Sequence, residues 1–358
     1  MSEKKTIGPY HPYLLEPWKV DLVTEGEIIK EAKVTTGYAH RGVERLLESN
    51  SYRKGLFIAE RVCGICSVVH TNTFSQTVES LFGIEPPERA RFLRVVYLEL
   101  ERLHSHYLNL AMMAHACHFP VTFKEVMLGR ELVMGAMESL AGNRVNLGAI
   151  VIGGVRRNPD PKLISKTLKI VPELRSLSEK VITSLDKSSP MGRLCEGIGT
   201  ISGENVVALG GIGPVARGSG VEEDIRSTDP YAAYKELGFK MTVEDGCDVL
   251  ARTRVRALES VESLRLVETA LNGLPDGKIV APLEKPSEGE RLCRSEAPRG
   301  EVAYYMKSGK GNSPLRVKIR TPTFANLPAL LTILPGMWLS DVPAVVLSID
   351  PCISCTER

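Results

Sequence analysis

The chain ends in Asp350-Pro351-Cys352-Ile353-Ser354-Cys355-Thr356-Glu357-Arg358, which sets two cysteines three residues apart. An apolar run, Val342-Pro343-Ala344-Val345-Val346-Leu347, precedes this stretch. The end of a chain frays unless something holds it in place. An apolar run followed by paired cysteines therefore predicts a tail that is anchored inside the fold.

A second Cys-x-x-Cys pair occurs near the other end, in Arg61-Val62-Cys63-Gly64-Ile65-Cys66. This spacing lets two thiolates face one metal because the residues between them turn the backbone back on itself. Zinc ribbons and fingers place their two pairs about 12–20 residues apart, whereas here almost the whole chain lies between the pairs. We therefore expect one four-thiolate site, and one domain over residues 1-358 that folds around it.

The composition is that of an ordinary globular protein with a sizeable core, at 43% hydrophobic and 25% charged residues. A formal net charge of +2 and the lack of a long Lys/Arg run argue against nucleic acid as a partner. The N-terminus has no apolar signal region, and no apolar stretch reaches the roughly 20 residues of a membrane span. Eight cysteines without a signal peptide favour a reducing compartment and metal binding over disulfides.

Hydrophobic periodicity predicts a mainly α fold, a bundle of long helices with smaller β hairpins. Hairpins are expected over Val20–Gly37 and Gly300–Arg320. The glycine-rich segment Gly197–Gly220 matches no phosphate-binding loop, so we assign it a structural role in turns and close approaches. The expected helices cover Val68–Phe82, Arg89–Cys117, Phe123–Leu140, Pro161–Leu185 and Gly246–Leu271. The first cysteine pair should then lie just before a helix N-terminus, where the helix dipole favours thiolate.

Four thiolates select soft or borderline metals: zinc, copper(I), iron–sulfur clusters, or nickel with iron. The spacing does not choose among them. A buried structural zinc that joins both ends of the fold stays open at this point.

The residues around the two pairs strongly resemble the large, catalytic subunit of NiFe hydrogenases. Five segments occur in the family's order: Glu16, Arg41-Gly42-Val43-Glu44, Arg61 to His70, Glu296-Ala297-Pro298-Arg299-Gly300, and Asp350 to Arg358. The resemblance implies the hydrogenase large-subunit fold, with a metal site between the N- and C-terminal segments.

Gly8-Pro9-Tyr10-His11-Pro12, His40-Arg41-Gly42 and Arg358 are similar to the membrane-associated energy-converting (Ech-type) branch of that family. This branch is related to the 49 kDa-type subunit of respiratory complex I. Complex I subunits of this kind lack the cysteine pairs, so the resemblance favours a hydrogenase. Many family members also carry a C-terminal extension that is removed after nickel insertion, and the sequence does not decide whether this chain had one.

The resemblance implies a nickel–iron centre whose iron carries carbon monoxide and cyanide ligands. Cys63 and Cys352 would bind nickel terminally, while Cys66 and Cys355 would bridge nickel and iron. The cofactor supplies the hard chemistry, and the protein supplies orientation and electrostatics.

Three further residues occupy family positions beside the metals. Glu16 matches the glutamate that gates protons, with a solvated loop carboxylate as the plain alternative. Arg299, which follows Pro298, matches the arginine that overhangs the centre, with a surface arginine as the alternative. Asp350 lies close to the metals in the family, although a turn role before Pro351 fits nearly as well.

Glu44 matches a glutamate that binds a separate magnesium or iron ion in standard hydrogenases. The histidine partner of that glutamate is replaced here by Arg358, whose guanidinium donates hydrogen bonds without accepting any. This replacement puts the second metal in doubt, and we predict a Glu44–Arg358 ion pair in its place. If the pair is buried, breaking it should cost about 3–5 kcal/mol.

The remaining titratable and sulfur-bearing residues carry weaker signals. His115 and His118 share a helix face with i,i+3 spacing, unlike His104 and His106, so a second metal is a minor alternative to core or interface histidines. We expect no chemistry from the isolated cysteines, as buried small hydrophobes, or from the alternating arginines, as solvated or partner-facing groups. The cysteines are Cys117, Cys195, Cys247 and Cys293, and the arginines are Arg252, Arg254 and Arg256.

The predicted function is reversible oxidation of dihydrogen to protons and electrons, in the catalytic subunit of an energy-converting hydrogenase. The chain has no further cysteine sets for an electron-relay iron–sulfur cluster, so electrons must leave through a partner. The resemblance implies a small subunit with a 4Fe-4S cluster, a ferredoxin-like iron–sulfur subunit, ferredoxin itself, and integral membrane subunits that translocate protons or sodium ions. It also implies a peripheral position on the cytoplasmic side of the membrane. The competing hypothesis is a non-catalytic complex I-like connecting subunit with a structural zinc.

Overall fold

The computed structural model describes residues 2–11, 14, 16–283 and 286–358. In chain order the helices are α1 (Val43–Glu48), α2 (Tyr52–Glu60), α3 (Ser67–Phe82), α4 (Glu88–Ala116), α5 (Pro120–Ala141), α6 (Pro161–Ser184), α7 (Pro190–Cys195), α8 (Gly203–Ala208), α9 (Pro214–Arg217), α10 (Ile225–Thr228), α11 (Val249–Asn272), α12 (Pro322–Ile333), α13 (Val342–Ile349) and α14 (Ile353–Thr356). The strands are β1 (Ser2–Ile7), β2 (Lys19–Glu25), β3 (Ile28–Thr35), β4 (Ile150–Val151), β5 (Gly154–Val155), β6 (Gly289–Ala297), β7 (Gly300–Ser308) and β8 (Pro314–Arg320). This mainly α architecture confirms the predicted fold class.

The long helices form a bundle around α4, most of whose side chains are buried. Helix α4 packs along α5 and α11, and α6 packs against both of those helices. The five helices predicted from periodicity are present, with ends that shift by at most a few residues. Local capping explains several of the boundaries. Asp160 accepts hydrogen bonds from the Lys162 and Leu163 amides at the start of α6, and Gly83, with φ of 68°, ends α3.

Two antiparallel three-stranded sheets flank the bundle, in the orders β1-β2-β3 and β6-β7-β8. The predicted hairpins are β2–β3 and β7–β8. The outer strands β1 and β6 were not predicted from the sequence. Strand β1 is largely solvent-exposed and β6 is exposed over its first half, so neither shows clear alternation of apolar and polar residues.

The tail helix α13 is the apolar run that precedes the C-terminal cysteines. It packs against α4, α11 and α12, and it ends at Asp350, whose φ of 59° lies in the left-handed region. Buried apolar residues of the bundle, both three-stranded sheets and α13 form one contiguous core. The tail is therefore part of the core, as the sequence predicted.

The glycine-rich segment makes a close backbone approach of the kind predicted for it. Gly213, with φ of 67°, lies so close to the turn at Arg299 that a Cβ there would sit 2.4 Å from the Arg299 carbonyl oxygen. Only glycine permits that approach. The segment thus supports the backbone of a predicted site residue.

Two expectations for the remaining residues were wrong. Arg252 and Arg256 are fully buried rather than solvated, because α11 is central and is covered on all sides by other elements; only Arg254 reaches the surface. Cys117 and Cys195 are buried, as expected, but they do not stand alone, since their Sγ atoms lie 3.7 Å apart. Cys247 and Cys293 are half-buried. In the described residues, no helix is both long and apolar enough to cross a bilayer.

Candidate metal centre

The four cysteines of the two Cys-x-x-Cys pairs converge in the core. Their sulfur atoms lie within 4.8 Å of one another, and all four side chains are buried. The Cys63 and Cys352 sulfurs are 3.3 Å apart, and those of Cys66 and Cys355 are 3.2 Å apart. Each cysteine therefore faces its counterpart from the opposite end of the chain.

The first pair is positioned by the helix that follows it. Cys66 is the N-cap residue of α3, and its carbonyl accepts a hydrogen bond from the His70 amide at 3.3 Å. The Ile65 amide points at Cys63 Sγ at 3.3 Å. A hydrogen bond donated to a thiolate favours the charged form, so this amide suits a thiolate at Cys63.

Glu101 of α4 holds that helix end in place. Its carboxylate accepts hydrogen bonds from the Val69 amide at 2.9 Å, the Val68 amide at 2.5 Å and the Ser67 hydroxyl at 3.2 Å. Burial raises the pKa of Glu101 to about 8. The carboxylate thus substitutes for the N-cap side chain that cysteine does not provide.

The second pair is held by side chains from distant parts of the chain. The Cys352 amide donates to Thr323 Oγ1 at 2.9 Å, and the Ser354 amide donates to Glu16 Oε1 at 3.2 Å. The Gly37 and Ala39 amides donate to the Glu357 carboxylate. These contacts anchor the tail, which has only the four-residue helix α14 as regular structure.

Arg41 joins the two halves of the site. Its guanidinium donates to the carbonyl oxygens of Arg61 and Val62 at 2.7 Å each, and to that of Ser354 at 2.9 Å. One side chain therefore fixes the loop of the first pair against the loop of the second.

Arg299 and Asp350 form a buried ion pair beside the thiols. Arg299 Nη2 lies 2.8 Å from Asp350 Oδ1, and Nε donates to the Asp350 carbonyl oxygen at 2.8 Å. Nη1 donates to Ser105 Oγ at 3.0 Å. Arg299 and the buried Pro298 are the two turn residues between β6 and β7, whose strands pair up to Ala297 and Gly300. The tight turn thus aims the guanidinium at the tail.

The thiols and Arg299 affect one another's ionisation. Burial would lower the pKa of the Arg299 guanidinium, but Asp350 and the nearby thiols raise it above its ordinary value. Hydrogen bonds from Cys352, Cys355 and Cys66 hold the pKa of Cys63 well below the usual thiol value. The pKa of Cys355 is raised, first by burial and then by its three neighbours. Removing further protons from this cluster therefore requires a cation to share the charge.

His70 is a site residue to which the sequence analysis gave no role. Burial lowers the pKa of His70 to about 4, so the ring is neutral. Its Nδ1 lies 2.9 Å from the Tyr304 hydroxyl, and its Nε2 lies 3.4 Å from Cys355 Sγ. With Nδ1 accepting from tyrosine, Nε2 carries the proton and donates to the sulfur. The spacing of four residues from Cys66 along a predicted helix was the available signal.

Glu16 lies at the tail rather than in a solvated loop. Its carboxylate accepts hydrogen bonds from the amides of Ile353 and Ser354 and from the Ser354 hydroxyl. It therefore contacts the two residues that separate Cys352 from Cys355. Pro12, the last residue of the N-terminal motif, lies outside the described residues.

The structure also brings Glu44 and Arg358 together. Arg358 Nε lies 3.4 Å from Glu44 Oε1, with 13% and 18% of the two side chains exposed. Glu44 has further partners, since it accepts from the Ile319 amide at 3.0 Å and lies 3.5 Å from Lys318 Nζ. The negative charge of Glu44 is thus balanced by Arg358, Lys318 and the Ile319 amide together.

The histidines of α4 do not form a second centre. Among the described residues, the four cysteines are the only group of three or more His, Cys, Asp or Glu with ligand geometry. His115 and His118 are exposed at the end of the helix. His106 Nε2 instead pairs with Glu259 at 2.8 Å, and His104 Nε2 pairs with Arg130 at 2.6 Å.

The four sulfurs fit a soft metal. Ligands about 2.3 Å from one tetrahedral ion would be roughly 3.8 Å apart, which is compatible with sulfurs that all lie within 4.8 Å. The close pairing of Cys63 with Cys352 and of Cys66 with Cys355 is also compatible with two metals that share the four sulfurs. The donor set thus accommodates both zinc and a nickel–iron centre.

Two protein families match the sequence. The family described as "Respiratory-chain NADH dehydrogenase, 49 Kd subunit" matches residues 120–287 and 281–358, and the family described as "Nickel-dependent hydrogenase" matches residues 41–115. The two matches are consecutive and together span most of the chain.

Individual relatives include two hydrogenases and a dehydrogenase. The carbon monoxide-induced hydrogenase of Rhodospirillum rubrum is 38% identical, with 98% of each chain covered. The membrane-bound hydrogenase subunit alpha of Pyrococcus furiosus is also 38% identical, over 99% of this chain and 87% of the relative. One subunit of the F(420)H(2) dehydrogenase of Methanosarcina mazei is 33% identical, over 98% of this chain and 96% of the relative.

A solved structure agrees with these sequence matches. A chain of the membrane-bound sulfane sulfur reductase, described as an archaeal respiratory membrane complex, aligns with a TM-score of 0.94 at 29% identity. The alignment covers 100% of this chain and 98% of the other. From the order of its motifs, its fold and its relatives, the chain belongs to the family of energy-converting hydrogenase large subunits and complex I 49 kDa subunits.

Proposed function

We propose that the chain is the catalytic subunit of an energy-converting NiFe hydrogenase, which interconverts dihydrogen with protons and electrons. The observation that carries this proposal is the convergence of four buried thiols, two from each end of the chain, with sulfurs within 4.8 Å. Complex I subunits of this kind lack the cysteine pairs. The presence of all four therefore favours the hydrogenase branch.

In this proposal Cys63, Cys66, Cys352 and Cys355 hold the metals. When bound, the nickel–iron centre with its carbon monoxide and cyanide ligands supplies the redox chemistry of dihydrogen. The protein keeps four soft donors together in a buried site. Arg41, which binds both cysteine loops, and Glu101, which fixes the start of α3, hold the two donor pairs in register.

The surrounding side chains handle charge and protons. Arg299 keeps a fixed positive charge beside the thiols, oriented by Asp350 and Ser105. His70 donates a hydrogen bond to Cys355 Sγ and thereby moderates its charge. In this proposal Glu16 passes protons to and from the site, and its hydrogen bond with the Ser354 amide, between Cys352 and Cys355, supports that role.

Electrons leave through other chains in this proposal. The partners are a small subunit with a 4Fe-4S cluster, a ferredoxin-like iron–sulfur subunit and ferredoxin. The similarity to membrane-bound hydrogenases and to an archaeal respiratory membrane complex supports membrane partners. The proposed place is the cytoplasmic side of the membrane, next to integral subunits that translocate ions.

The proposal is tested by metal analysis and isotope exchange on the purified complex. We expect nickel and iron bound to this chain at about one each, no zinc, and exchange between deuterium gas and water that Cys66→Ser eliminates. Zinc at one per chain, without nickel and without exchange, would instead establish the competing function of a non-catalytic connecting subunit. The match to the 49 kDa-subunit family covers more of the chain than the match to nickel-dependent hydrogenases, which supports this competing function.

A further inference from the structure

A second pair of thiols lies away from the metal centre. Cys117 follows the last residue of α4, and Cys195 is the last residue of α7. Their sulfurs are 3.7 Å apart, although 78 positions separate them in sequence. Cys117 is 8% exposed and Cys195 is fully buried.

The Cys117 and Cys195 sulfurs are close enough to form a disulfide after a small movement. A disulfide needs about 2.05 Å between sulfurs, so the two atoms must approach by roughly 1.7 Å. Rotation about a Cα–Cβ bond moves a sulfur by more than this distance. Cys195 ends a six-residue helix, and Cys117 follows the last residue of α4. Neither residue therefore lies in the middle of a long helix, and helix ends fray.

The two thiols differ in a way that assigns their roles. Cys117 retains 8% of its residue surface in contact with solvent and Cys195 retains none, so Cys117 is the more accessible of the two residues. The hydrogen bond with Cys195 lowers the pKa of Cys117, which favours the attacking thiolate. Cys195 is shielded from solvent and touches only its partner sulfur among the cysteines, as a resolving thiol should.

Both cysteines lie on segments that support the tail helix α13. Asn109 of α4 donates to the Leu347 carbonyl at 2.8 Å. Beyond Cys195, the Gly199 carbonyl accepts from Arg252 Nη2 at 2.7 Å, and Arg252 Nε donates to Ser348 Oγ at 3.0 Å. A bond between the cysteines would therefore join two supports of the helix that carries Cys352 and Cys355.

We propose that Cys117 and Cys195 are a reversible thiol–disulfide site that small-molecule disulfides oxidise. The Cys117 thiolate attacks one sulfur of the oxidant and expels the first thiolate, which gives a mixed disulfide. The Cys195 thiolate then attacks Cys117 Sγ, forms the internal bond and expels the second thiolate. Two protein thiols lose two electrons and two protons, and the oxidant becomes two thiols. This site is independent of the proposed hydrogenase function.

The test treats the metal-loaded complex with oxidised glutathione under anaerobic conditions, alkylates free thiols and maps disulfides by mass spectrometry. We expect a Cys117–Cys195 cross-link, two fewer alkylated thiols, and full reversal by dithiothreitol. The cross-link should raise the Tm by roughly 5 °C or more, because it closes a long loop in the unfolded chain.

Two variants separate the proposed roles. In Cys195→Ser, Cys117 should keep one bound glutathione because nothing resolves the mixed disulfide. In Cys117→Ser, Cys195 should remain a free thiol. Cys195→Ala replaces the serine variant if a buried hydroxyl prevents folding. The proposal is overturned if both thiols stay fully alkylatable while the half-buried Cys247 or Cys293 reacts, or if glutathione never adds to Cys117 in the Cys195 variants.

Discussion

The two cysteine pairs reach the same point by different means. Cys63 and Cys66 lie in a short turn between α2 and α3, and the amides at the start of α3 are satisfied by one residue, Glu101. Cys352 and Cys355 lie in a tail with little regular structure, held by side chains from several distant segments. The first pair is thus positioned largely by its own helix, and the second by tertiary contacts.

This difference has an energetic consequence. Loss of the Ser67 hydroxyl at the first pair removes a hydrogen bond worth about 0.5–1.5 kcal/mol and leaves both amide donors on Glu101. The contacts of the tail include a buried ion pair, Arg299–Asp350, whose disruption leaves a buried charge without a partner. The tail should therefore be the more sensitive half of the centre.

The largest effect is expected at the metal ligands, where both cysteine pairs should respond alike. Cys66→Ser and Cys355→Ser each replace a soft thiolate with a hard oxygen donor, so both should lose nickel and iron and bring isotope exchange down to background. Cys293→Ser, at a half-buried position on β6, should retain both metals. Full exchange activity in either ligand variant would contradict the proposed centre. The two ends should be equally indispensable here.

The next largest effect is expected at Glu16. Glu16→Gln keeps the shape but removes the exchangeable proton, so isotope exchange should fall by about 10²–10⁴-fold with metal content retained. Ser354→Ala is the matched control, because it removes a hydrogen bond to the same carboxylate and leaves the proton carrier in place. If both variants lose activity equally, Glu16 only positions the tail.

Asp350 tests the tail's tertiary anchoring directly. Asp350→Asn keeps the left-handed backbone that asparagine tolerates, but it leaves Arg299 and the nearby Arg256 without their carboxylate. Urea titration should show that the free energy of unfolding falls by about 3–5 kcal/mol. Ser67→Ala at the first pair should cost about 1 kcal/mol. Equal losses in the two variants would remove the contrast between the pairs.

The smallest effect is expected at Arg358. The ion pair with Glu44 is only partly buried, and Glu44 keeps Lys318 and the Ile319 amide as partners. Arg358→Ala should therefore lower stability by about 1 kcal/mol or less, well below the value for a fully buried pair. Lys318→Ala is the control variant, because it removes a different cation from the same Glu44 carboxylate. A loss above about 3 kcal/mol for Arg358→Ala would mean that the tail depends on this charge.

Much of the fold followed from local pattern. The long helices have apolar stripes, and α6 has its Asp160 cap and Pro161 at the first position, so their extents could be predicted closely. Strands β1 and β6 could not be predicted, because exposed outer strands lack an alternation of apolar and polar residues. The burial of Arg252 and Arg256 also escaped prediction, since the α11 sequence does not reveal that other elements cover its polar face.

The sequence by itself determined which residues meet at the centre. Two Cys-x-x-Cys motifs predicted the four-thiol site, and the resemblance to the hydrogenase family implied Glu16, Arg299 and Asp350 beside it. Only the tertiary structure decided that His70 and Tyr304 join the site and that Cys117 contacts Cys195. The physical reason is that spacing encodes local geometry over a few residues, whereas contacts between distant segments depend on how whole helices pack.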